Sequence, residues 1–385
     1  MTERLYDYDS YSFEFEAEIT DAFVKDGKNI AVLDRTCFFP EGGGQPSDTG
    51  KIGSLNVSYV FEEDGNVYHC TDSLAEKNTK ALCRIDFDRR FLFMQIHSGE
   101  HILSGRIQSL FGIKNVGFHI GNGFNTIDLD KELSEEMVRK AEIETNMAIW
   151  KNEPVKSYYP SKEELEKLPL RKKPVTDKPL RVVIAGTSDV CACCGTHVAR
   201  TAEIGLVKII KHEKYKGGTR ITFLCGSQAL EDYEKKNALL KEAGKIFSLP
   251  PEDLMKGIGK LKSSLEEEKA KTAALCEKLV SVRASEIIKG MDEKKAYVGI
   301  EDGFSAKELL MLSEKITSAE ESSVFLFGDD KFVFASSSGM DMRQLASSMA
   351  KEFKTRGGGR PSMVQGAIGD NAAESLCAWV RGQIA

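Results

Sequence analysis

The chain of 385 residues is 41% hydrophobic, 29% charged and 8% aromatic and has a formal net charge of −6, which is typical of a globular protein with two or three domains. This composition excludes a disordered or fibrous chain, and the absence of an apolar run of about 18 residues and of a secretory signal argues against a membrane-spanning or exported protein. Nine cysteines, an odd number without an export signal, predict reduced thiols and a cytoplasmic location.

The first 225 residues predict an antiparallel β region followed by a mixed α/β region. Apolar and polar residues alternate in FEFEAEI, KNIAVLD and NVSYVFEE, between turn signals such as DGKN and EDGN, so we expect a small antiparallel β-barrel over residues 1–87. The mixed α/β region over 88–225 opens with a predicted helix that starts near Phe87. A strand-like alternation of residues resumes at 115–130, and a second helix is predicted over about 134–151. The expected fold class is therefore α+β with several domains.

Two stretches are locally basic in this acidic protein. Residues 151–183 hold nine basic and five acidic residues and half of the ten prolines, which predicts a rigid, irregular connection or an insertion. Residues 205–220 hold five Lys or Arg residues and one Glu. Each stretch is either a phosphate-binding surface or a solvated face, because charge runs alone are weak evidence of nucleic-acid binding.

The C-terminal part predicts a helical, coiled-coil-like arm over 226–290 and a separate α/β domain over 291–385. Pro250 and Pro251 divide the arm into two helices. Residues of the second helix step by four and three positions alternately, as in a coiled-coil seam, with a polar break at Glu268 and Thr272. The apolar residues of this seam are Leu254, Ile258, Leu261, Leu265, Leu275, Leu279 and Val282. The arm either packs on its own chain or forms a homodimer.

Two pairs of metal-ligating residue types predict a zinc site. His97 and His101, in HSGEH, are four residues apart in a predicted helix, which places both imidazoles on one face. Cys193 and His197, in CACCGTHVART, repeat that spacing. A single histidine pair is often structural, but two matched pairs of thiolate and imidazole favour a tetrahedral Zn²⁺ site.

The neighbouring cysteines leave an alternative for the thiolate ligand. Cys191 and Cys194 form a lone Cys-x-x-Cys, which is a weaker signal of a metal site. Cys191 and Cys194 are therefore candidates for spare or alternative ligands, and we expect Cys193 to be the thiolate ligand of the metal.

Five motifs resemble one family. FFPEGGGQPSDTG at 38–50, HSGEH at 97–101, GFHIG at 117–121 and CCGTHV at 193–198 resemble the editing region of alanyl-tRNA synthetase and of the free-standing AlaX alanyl-tRNA editing proteins. RGGGRPSMVQGA at 356–367 resembles the DHH-associated domain that closes the synthetase and the long AlaX type. Because the chain begins directly with the editing-type β region, we expect the stand-alone long form.

The resemblance implies a reaction, a substrate and a ligand set. The reaction is zinc-dependent hydrolysis, in trans, of the ester between tRNA(Ala) and a wrong amino acid, chiefly serine, with glycine as a second candidate. An alanine pocket cannot exclude glycine and discriminates poorly against an added hydroxyl, so a second, hydrolytic site is needed. The implied zinc ligands are His97, His101, Cys193 and His197.

Several residues near the implied site have two interpretations each. Gly43 and Gly44 either bring backbone N–H groups close to an anion or the terminal ribose or form a hairpin loop with positive φ. Gln45 offers a donor and an acceptor and is a candidate catalytic and substrate-binding residue. His119 either lines the amino-acid pocket, as the resemblance implies, or is a buried strand histidine. Thr196 either contacts the substrate hydroxyl or shapes the ligand turn.

Because residue 100 is a glutamate, HSGEH also matches the H-x-x-E-H motif of inverted zinc peptidases. Glu100 is therefore a candidate general base. The alternative is a side chain in solvent, because adjacent helical positions diverge by about 100°.

Gly357, Gly358, Gly359 and Arg360 can present backbone donors and a guanidinium to a phosphate, as glycine-rich loops do, which alone is a weak signal. The resemblance of this tail to the DHH-associated domain implies contact with tRNA or with the partner domain.

The preferred function is thus trans-editing of tRNA(Ala), with no membrane partner. An inverted-motif zinc peptidase would use Glu100 but does not account for CCGTHV or the tail. A non-catalytic tRNA-binding module would bind tRNA with strong salt dependence and hydrolyse nothing. A threonyl-tRNA synthetase editing relative would share the ligand pairs but not the tail.

Overall fold

A computed structural model describes residues 1–172 and 179–384, and the chain divides into two compact units, Met1–Glu242 and Ala243–Ala385. Part of the proline-rich, basic stretch, including Pro174, lies outside the described residues. The mixed α+β, multidomain class is confirmed, whereas the finer division at 87, 225 and 290 stays a prediction. No helix in the described part of the chain has the length and apolarity needed to cross a membrane.

The first unit contains fifteen strands in its described residues, together with helices α1 to α3 and most of α4. The strands are β1 (Glu3–Arg4), β2 (Glu14–Lys25), β3 (Lys28–Leu33), β4 (Arg35–Thr36), β5 (Gly50–Ile52), β6 (Leu55–Glu63), β7 (Asn66–Thr71), β8 (Lys80–Ile85), β9 (Asn115–Ile120), β10 (Asn125–Leu129), β11 (Val155–Tyr158), β12 (Val182–Ala185), β13 (Asp189–Ala192), β14 (Val207–Tyr215) and β15 (Gly218–Cys225). The helices are α1 (Phe87–Phe111), α2 (Glu135–Trp150), α3 (Lys162–Lys167) and α4 (Gly226–Phe247).

Six of these strands form a ring of antiparallel pairs. Their order is β2-β3-β7-β6-β5-β8, and β8 pairs again with β2, which is the topology of a closed barrel. Because side chains alternate along a strand, every second residue faces the interior. Ile19, Leu33, Val60, Val67 and Ile85 are buried there.

The barrel also buries one histidine. His69 on β7 is fully buried, with Nε2 at 2.9 Å from Thr36 Oγ1 and Nδ1 at 3.1 Å from Ala31 O. Burial lowers the pKa of His69 to about 4. The folded protein therefore keeps this imidazole neutral where the unfolded chain would protonate it.

We expect acidification to destabilise the protein through His69. Between pH 6.5 and 4 the unfolded state binds a proton at this residue and the folded state does not, so the free energy of unfolding falls by about 3 kcal/mol. Urea unfolding at pH 7 and pH 4 should show this additional loss in the wild type relative to His69→Gln, which does not titrate. Equal pH dependence of the two proteins would contradict the prediction.

Helix α1 packs on the four-stranded antiparallel sheet β14-β15-β10-β9. Asp86 caps its N-terminus by accepting a hydrogen bond from Arg89 N, and Gly112 ends it with φ 65°. Ile96 and Leu103 pack in one core with Ile127 and Phe223. The helix is thus fixed along its length, with its central turns against the sheet.

The basic run over 205–220 is a face of local ion pairs. It forms the β14–β15 hairpin, and its cations lie beside acidic residues of neighbouring elements. The pairs are Lys208–Glu142 at 2.7 Å, Lys214–Glu132 at 2.9 Å and Arg220–Asp128 at 2.6 Å. The solvated-face interpretation therefore fits this stretch better than a phosphate-binding surface.

The second unit is a five-stranded sheet with helices. Its order is β16-β17-β18-β20-β19, and Phe325, Phe327 and Phe334 are fully buried in its core. The elements are α5 (Leu254–Gly290), β16 (Ala296–Ile300), α6 (Ala306–Ala319), β17 (Ser323–Phe327), β18 (Lys331–Ser336), α7 (Met342–Phe353), β19 (Arg356–Arg360), β20 (Met363–Ala367) and α8 (Ala373–Ile384).

Helix α5 does not pack through the predicted seam. Val280, Ala284 and Ile287 are the residues of its C-terminal part that enter the core with α6. Most seam residues are exposed, for example Leu261 at 59% and Leu275 at 65%. The predicted homodimer has no support from the structure or from the comparisons below and stays a prediction.

The glycine-rich tail is a strand, which corrects the loop expectation. Residues 356–360 form the edge strand β19, exposed throughout and paired with β20. A Cβ on Gly359 would lie 2.2 Å from Met363 O, so glycine permits the close pairing. The proposed contact of Gly357, Gly358, Gly359 and Arg360 with tRNA stays a prediction.

Candidate metal centre

Two separate segments bring four metal-ligating side chains together. His97 and His101 lie one turn apart on α1, and Cys193 and His197 lie in the loop that follows β13. One ligand atom from each residue falls within 4.8 Å of all the others. Cys193 Sγ lies 3.2 Å from His97 Nε2 and 3.4 Å from His197 Nε2. The predicted ligand pairs therefore converge on one point that could hold a metal ion.

Each imidazole is oriented by a partner outside the cluster. The Nδ1 atoms contact these partners, which leaves Nε2 of each ring for a metal. The contacts are His97 Nδ1 to Gln45 Oε1 at 3.0 Å, His101 Nδ1 to Asp189 Oδ2 at 2.8 Å, and His197 Nδ1 to Ser98 Oγ at 3.1 Å.

The electrostatics of the cluster favour a thiolate at Cys193. Burial raises the pKa of this thiol, but the imidazoles of His97, His101 and His197 outweigh burial and hold it well below its ordinary value. Burial lowers the pKa of His101, but Cys193 and Asp189 outweigh it and raise the value well above 6.5. Burial lowers the pKa of His197 to about 3. Cys193 is thus set up as an anionic ligand.

The two other cysteines of the cluster sequence remain outside the metal centre. Burial raises the pKa of both Cys191 and Cys194, and neither belongs to the four-residue group. The structure therefore selects Cys193 from the three candidates.

Gln45 and Thr196 lie behind His97 rather than in front of it. Both are fully buried. Gln45 Nε2 donates to Thr196 Oγ1 at 2.9 Å, and Gln45 Oε1 accepts from Thr196 N at 3.2 Å. With His97 Nδ1 at the same oxygen, both acceptor positions of Gln45 Oε1 are used. These contacts fit a role of Gln45 and Thr196 in holding the His97 ring, and the expected substrate contact of both residues stays a prediction.

We expect Gln45→Leu to weaken metal binding. Loss of a residue that orients a metal-ligating histidine costs about 10- to 100-fold in metal affinity. Competition with a chromophoric chelator measures the affinity, and His119→Ala, at an exposed position away from the cluster, is the control that keeps wild-type affinity. Unchanged affinity in a folded Gln45→Leu protein would show that the contact does not support His97.

The glycine-rich loop reaches the same place. Gly44 has φ +84°, and a Cβ there would lie 2.7 Å from Phe118 O, so the backbone passes too close to β9 for any other residue. Gly42 and Gln45 exchange two backbone hydrogen bonds of 3.0 Å. This tight loop brings the Gln45 side chain into contact with His97 and leaves Gly43 exposed.

A cleft of about 740 Å³ opens beside the metal ligands. His97, His101 and Cys193 form part of its wall. The remaining wall includes Gly43, Glu100, Asn115, Phe118, Arg171 and Arg181. The cluster is therefore accessible to a ligand from one side.

Glu100 lies in this cleft, not in bulk solvent. It is 4% exposed, and Oε1 accepts hydrogen bonds from Ser104 Oγ at 2.6 Å and Asn115 Nδ2 at 2.7 Å. The solvent-facing alternative is therefore wrong.

His119 does not join the cleft. It is exposed on β9, while the adjacent Phe118 lies with its ring centroid 5.1 Å from that of His97. Because neighbouring strand residues face opposite sides, Phe118 and not His119 faces the metal ligands, and the expected substrate contact of His119 stays a prediction. Phe118 lines the cleft.

Three further site residues have no signal of their own in the sequence. Asp189 and Ser98 orient metal ligands, and Arg181 donates to Gly195 O at 2.7 Å within the ligand loop. Metal-ligating histidines generally have such partners. Of these three residues, Ser98 could have been predicted from the rule that metal-ligating histidines have such partners, because it lies inside the HSGEH motif.

Comparisons with known proteins agree with the geometry. Residues 180–222 match the family model of the threonyl and alanyl tRNA synthetase second additional domain. Alanyl-tRNA editing protein AlaX-L of Pyrococcus horikoshii is 29% identical over 96% of this chain and 95% of its own length. Alanine–tRNA ligase of Methanobrevibacter smithii is 31% identical over 95% of this chain, which spans 44% of that enzyme. Alanyl-tRNA editing protein Aarsd1 of Bos taurus is 32% identical over 60% of this chain and 54% of its own length.

Among solved structures, exonuclease RecJ bound to manganese aligns with 35% of this chain at 18% identity and a TM-score of 0.29, a likeness too low to indicate a shared fold.

Proposed function

Because this chain is a relative of the alanyl-tRNA editing proteins of the long AlaX type, we propose that it is a trans-editing hydrolase for tRNA(Ala) that carries a wrong amino acid, chiefly serine and secondarily glycine. The observation that carries the proposal is the convergence of His97, His101, Cys193 and His197 on one point, with the first three of them on the wall of an accessible cleft. A cytoplasmic location, where tRNA and reduced thiols occur, belongs to the same proposal.

The donor set supports Zn²⁺ as the metal. With Zn–S of about 2.3 Å and Zn–N of about 2.05 Å, tetrahedral geometry separates sulfur and nitrogen ligands by about 3.5 Å. The observed separations of 3.2 and 3.4 Å between Cys193 Sγ and two histidine Nε2 atoms are close to this value. One thiolate and three imidazoles also suit zinc better than magnesium or calcium.

Ester hydrolysis in the cleft would use the metal together with fixed protein groups. When bound, Zn²⁺ supplies Lewis-acid chemistry, which polarises a carbonyl and lowers the pKa of water. Gln45, Asp189 and Ser98 hold the three imidazoles in place, so the site needs little rearrangement when substrate arrives. Phe118 and Gly43 line the cleft together with His97, so they are the candidates for contact with the amino-acid side chain.

Cations of the cleft support binding of the tRNA 3′ end. Arg4, Arg171, Lys172 and Arg181 all line it. Arg171 forms an ion pair with Asp189, and Arg4 forms an ion pair with Glu62. Lys172 is exposed and has no ion-pair partner within residues 1–172 and 179–384. Such local cations favour phosphate contacts whose strength falls with salt concentration.

An inverted zinc peptidase is the second candidate. The burial of Glu100 within the cleft favours it, because a general base must lie near the metal. The relatives that match most of this chain carry names of tRNA editing and ligase proteins, which favours the first candidate.

The decisive experiment compares two esters. Zinc-loaded wild-type protein should release serine from Ser-tRNA(Ala) and spare Ala-tRNA(Ala), measured by loss of the acid-precipitable radiolabelled amino acid. Hydrolysis of neither ester would refute the proposal. Salt-sensitive tRNA binding without hydrolysis would then indicate a binding module, and cleavage of a fluorogenic peptide library would indicate the peptidase.

A further inference from the structure

One buried carboxylate in the cleft is not explained by metal coordination. Glu100 lines the cleft beside His97 and His101 but is not one of the four clustered ligands. Its Oε1 atom accepts the hydrogen bonds from Ser104 and Asn115. These two donors fix the carboxylate in one orientation.

The second oxygen of Glu100 has an unused acceptor capacity. Oε2 lies 4.0 Å from His101 Nε2, and the described residues provide it with no hydrogen-bond donor. Arg171 lies 3.9 Å from Oε1, but its guanidinium donates to both oxygens of Asp189, at 2.7 and 3.2 Å. Oε2 is not among the buried polar atoms without a partner and belongs to a residue of the cleft wall, so a cationic ligand in the cleft can reach it.

We propose that Glu100 Oε2 binds the α-ammonium group of the aminoacyl ester, an inference that rests on the proposed function. In an amino acid the α-nitrogen lies about 2.5 Å from the carbonyl carbon, given bonds of about 1.46 and 1.52 Å and an angle of about 111°. A carbonyl that reacts at the metal centre therefore brings its ammonium group next to the centre. Glu100 Oε2 lies at that place, 4.0 Å from a ligand nitrogen.

This role makes Glu100 a specificity-determining residue. A general base would act on any ester that the cleft admits, whether or not it carries an amine. An ammonium-binding carboxylate forms a charge-assisted hydrogen bond and therefore favours aminoacyl esters over otherwise similar hydroxyacyl esters.

The experiment compares serine with its 2-hydroxy analogue on the same tRNA. Ser-tRNA(Ala) and its glyceroyl (2,3-dihydroxypropanoyl) counterpart, in which a hydroxyl replaces the ammonium, are each incubated with wild type, Glu100→Gln and Glu163→Gln. Glutamine keeps an oxygen for Ser104 and Asn115 but has no charge, and Glu163 is an exposed residue of α3 that serves as the matched control. Each rate is divided by the spontaneous rate of the same ester.

We expect the wild type and Glu163→Gln to favour the seryl ester by about 10- to 100-fold, the ratio typical of a hydrogen bond to a charged group. Glu100→Gln should lose that factor on the seryl ester alone, so that its two rates become similar. An equal loss on both esters would overturn the proposal in favour of a general base, and an unchanged ratio would also overturn it. If the wild type hydrolyses neither ester, the proposed function fails, and the role of Glu100 fails with it.

A second measurement does not depend on the folding of a variant. Serinamide carries the ammonium group and glyceramide does not, and both are tested as inhibitors of the wild type. Serinamide should inhibit at about 10- to 100-fold lower concentration. Equal inhibition would overturn the proposal.

Discussion

Replacing Cys193 or His97 by alanine is expected to abolish metal retention and to lower serine release from Ser-tRNA(Ala) by about 1,000-fold or more. Cys193 supplies the one thiolate of the cluster, and its sulfur lies within 3.4 Å of two histidine nitrogens. Loss of a ligand removes the metal's polarising effect on the ester, which is worth several kcal/mol. Metal content is measured by mass spectrometry and serine release in a single-turnover assay.

Cys194→Ala is the matched control for Cys193→Ala. It changes the adjacent residue, which is exposed and outside the ligand group, so it should keep full metal content. The reverse pattern, in which Cys194→Ala loses metal and Cys193→Ala keeps it, would exclude the assigned ligand set. Full activity of metal-free protein would exclude the metal's role.

The second large effect is expected on stability, at the buried pair of Arg90 and Asp48. Both side chains are fully buried, and the Arg90 guanidinium also donates to Ser10 O at 3.0 Å and Cys37 O at 2.5 Å. Removing one partner of a buried ion pair leaves an uncompensated charge and costs about 3–5 kcal/mol. We expect Arg90→Met to lower the free energy of unfolding by this amount in urea titrations.

Two comparisons test the physical origin of that loss. Arg84→Met breaks a pair with Glu14 in which the arginine is 66% exposed, and it should cost less than about 1 kcal/mol. Adding Asp48→Asn to Arg90→Met removes the unpaired charge while keeping an acceptor for Phe39 N, and it should recover part of the stability. A double variant no more stable than Arg90→Met would show that the lost packing and carbonyl contacts dominate.

The pair also connects the fold to the site. Arg90 lies in the first turns of α1, and Asp48 lies three residues after Gln45. This contact holds the glycine-rich loop against the helix that carries His97 and His101. A variant that weakens it should therefore also loosen the contact of Gln45 with His97.

Local patterns were enough to predict many elements. Alternation in 12–86 predicted the strands, and the spacing from Phe87 predicted α1, because side-chain periodicity follows directly from strand and helix geometry. The same reasoning placed His97 and His101 on one helix face. It failed at the tail, because the pairing of 356–360 with β20 depends on close strand contact rather than on a local preference.

The sequence by itself determined which residue types could bind a metal and which of them share a helix face or a short loop. Only the tertiary structure decided that Cys193 rather than Cys191 or Cys194 meets the histidines, that Gln45 lies behind His97, and that Glu100 is buried in the cleft. The first two outcomes depend on contacts between segments about 50 to 150 residues apart in the chain. These contacts depend on how α1, the glycine-rich loop and the loop after β13 pack against one another. The spacing of residues within one segment does not reveal that packing.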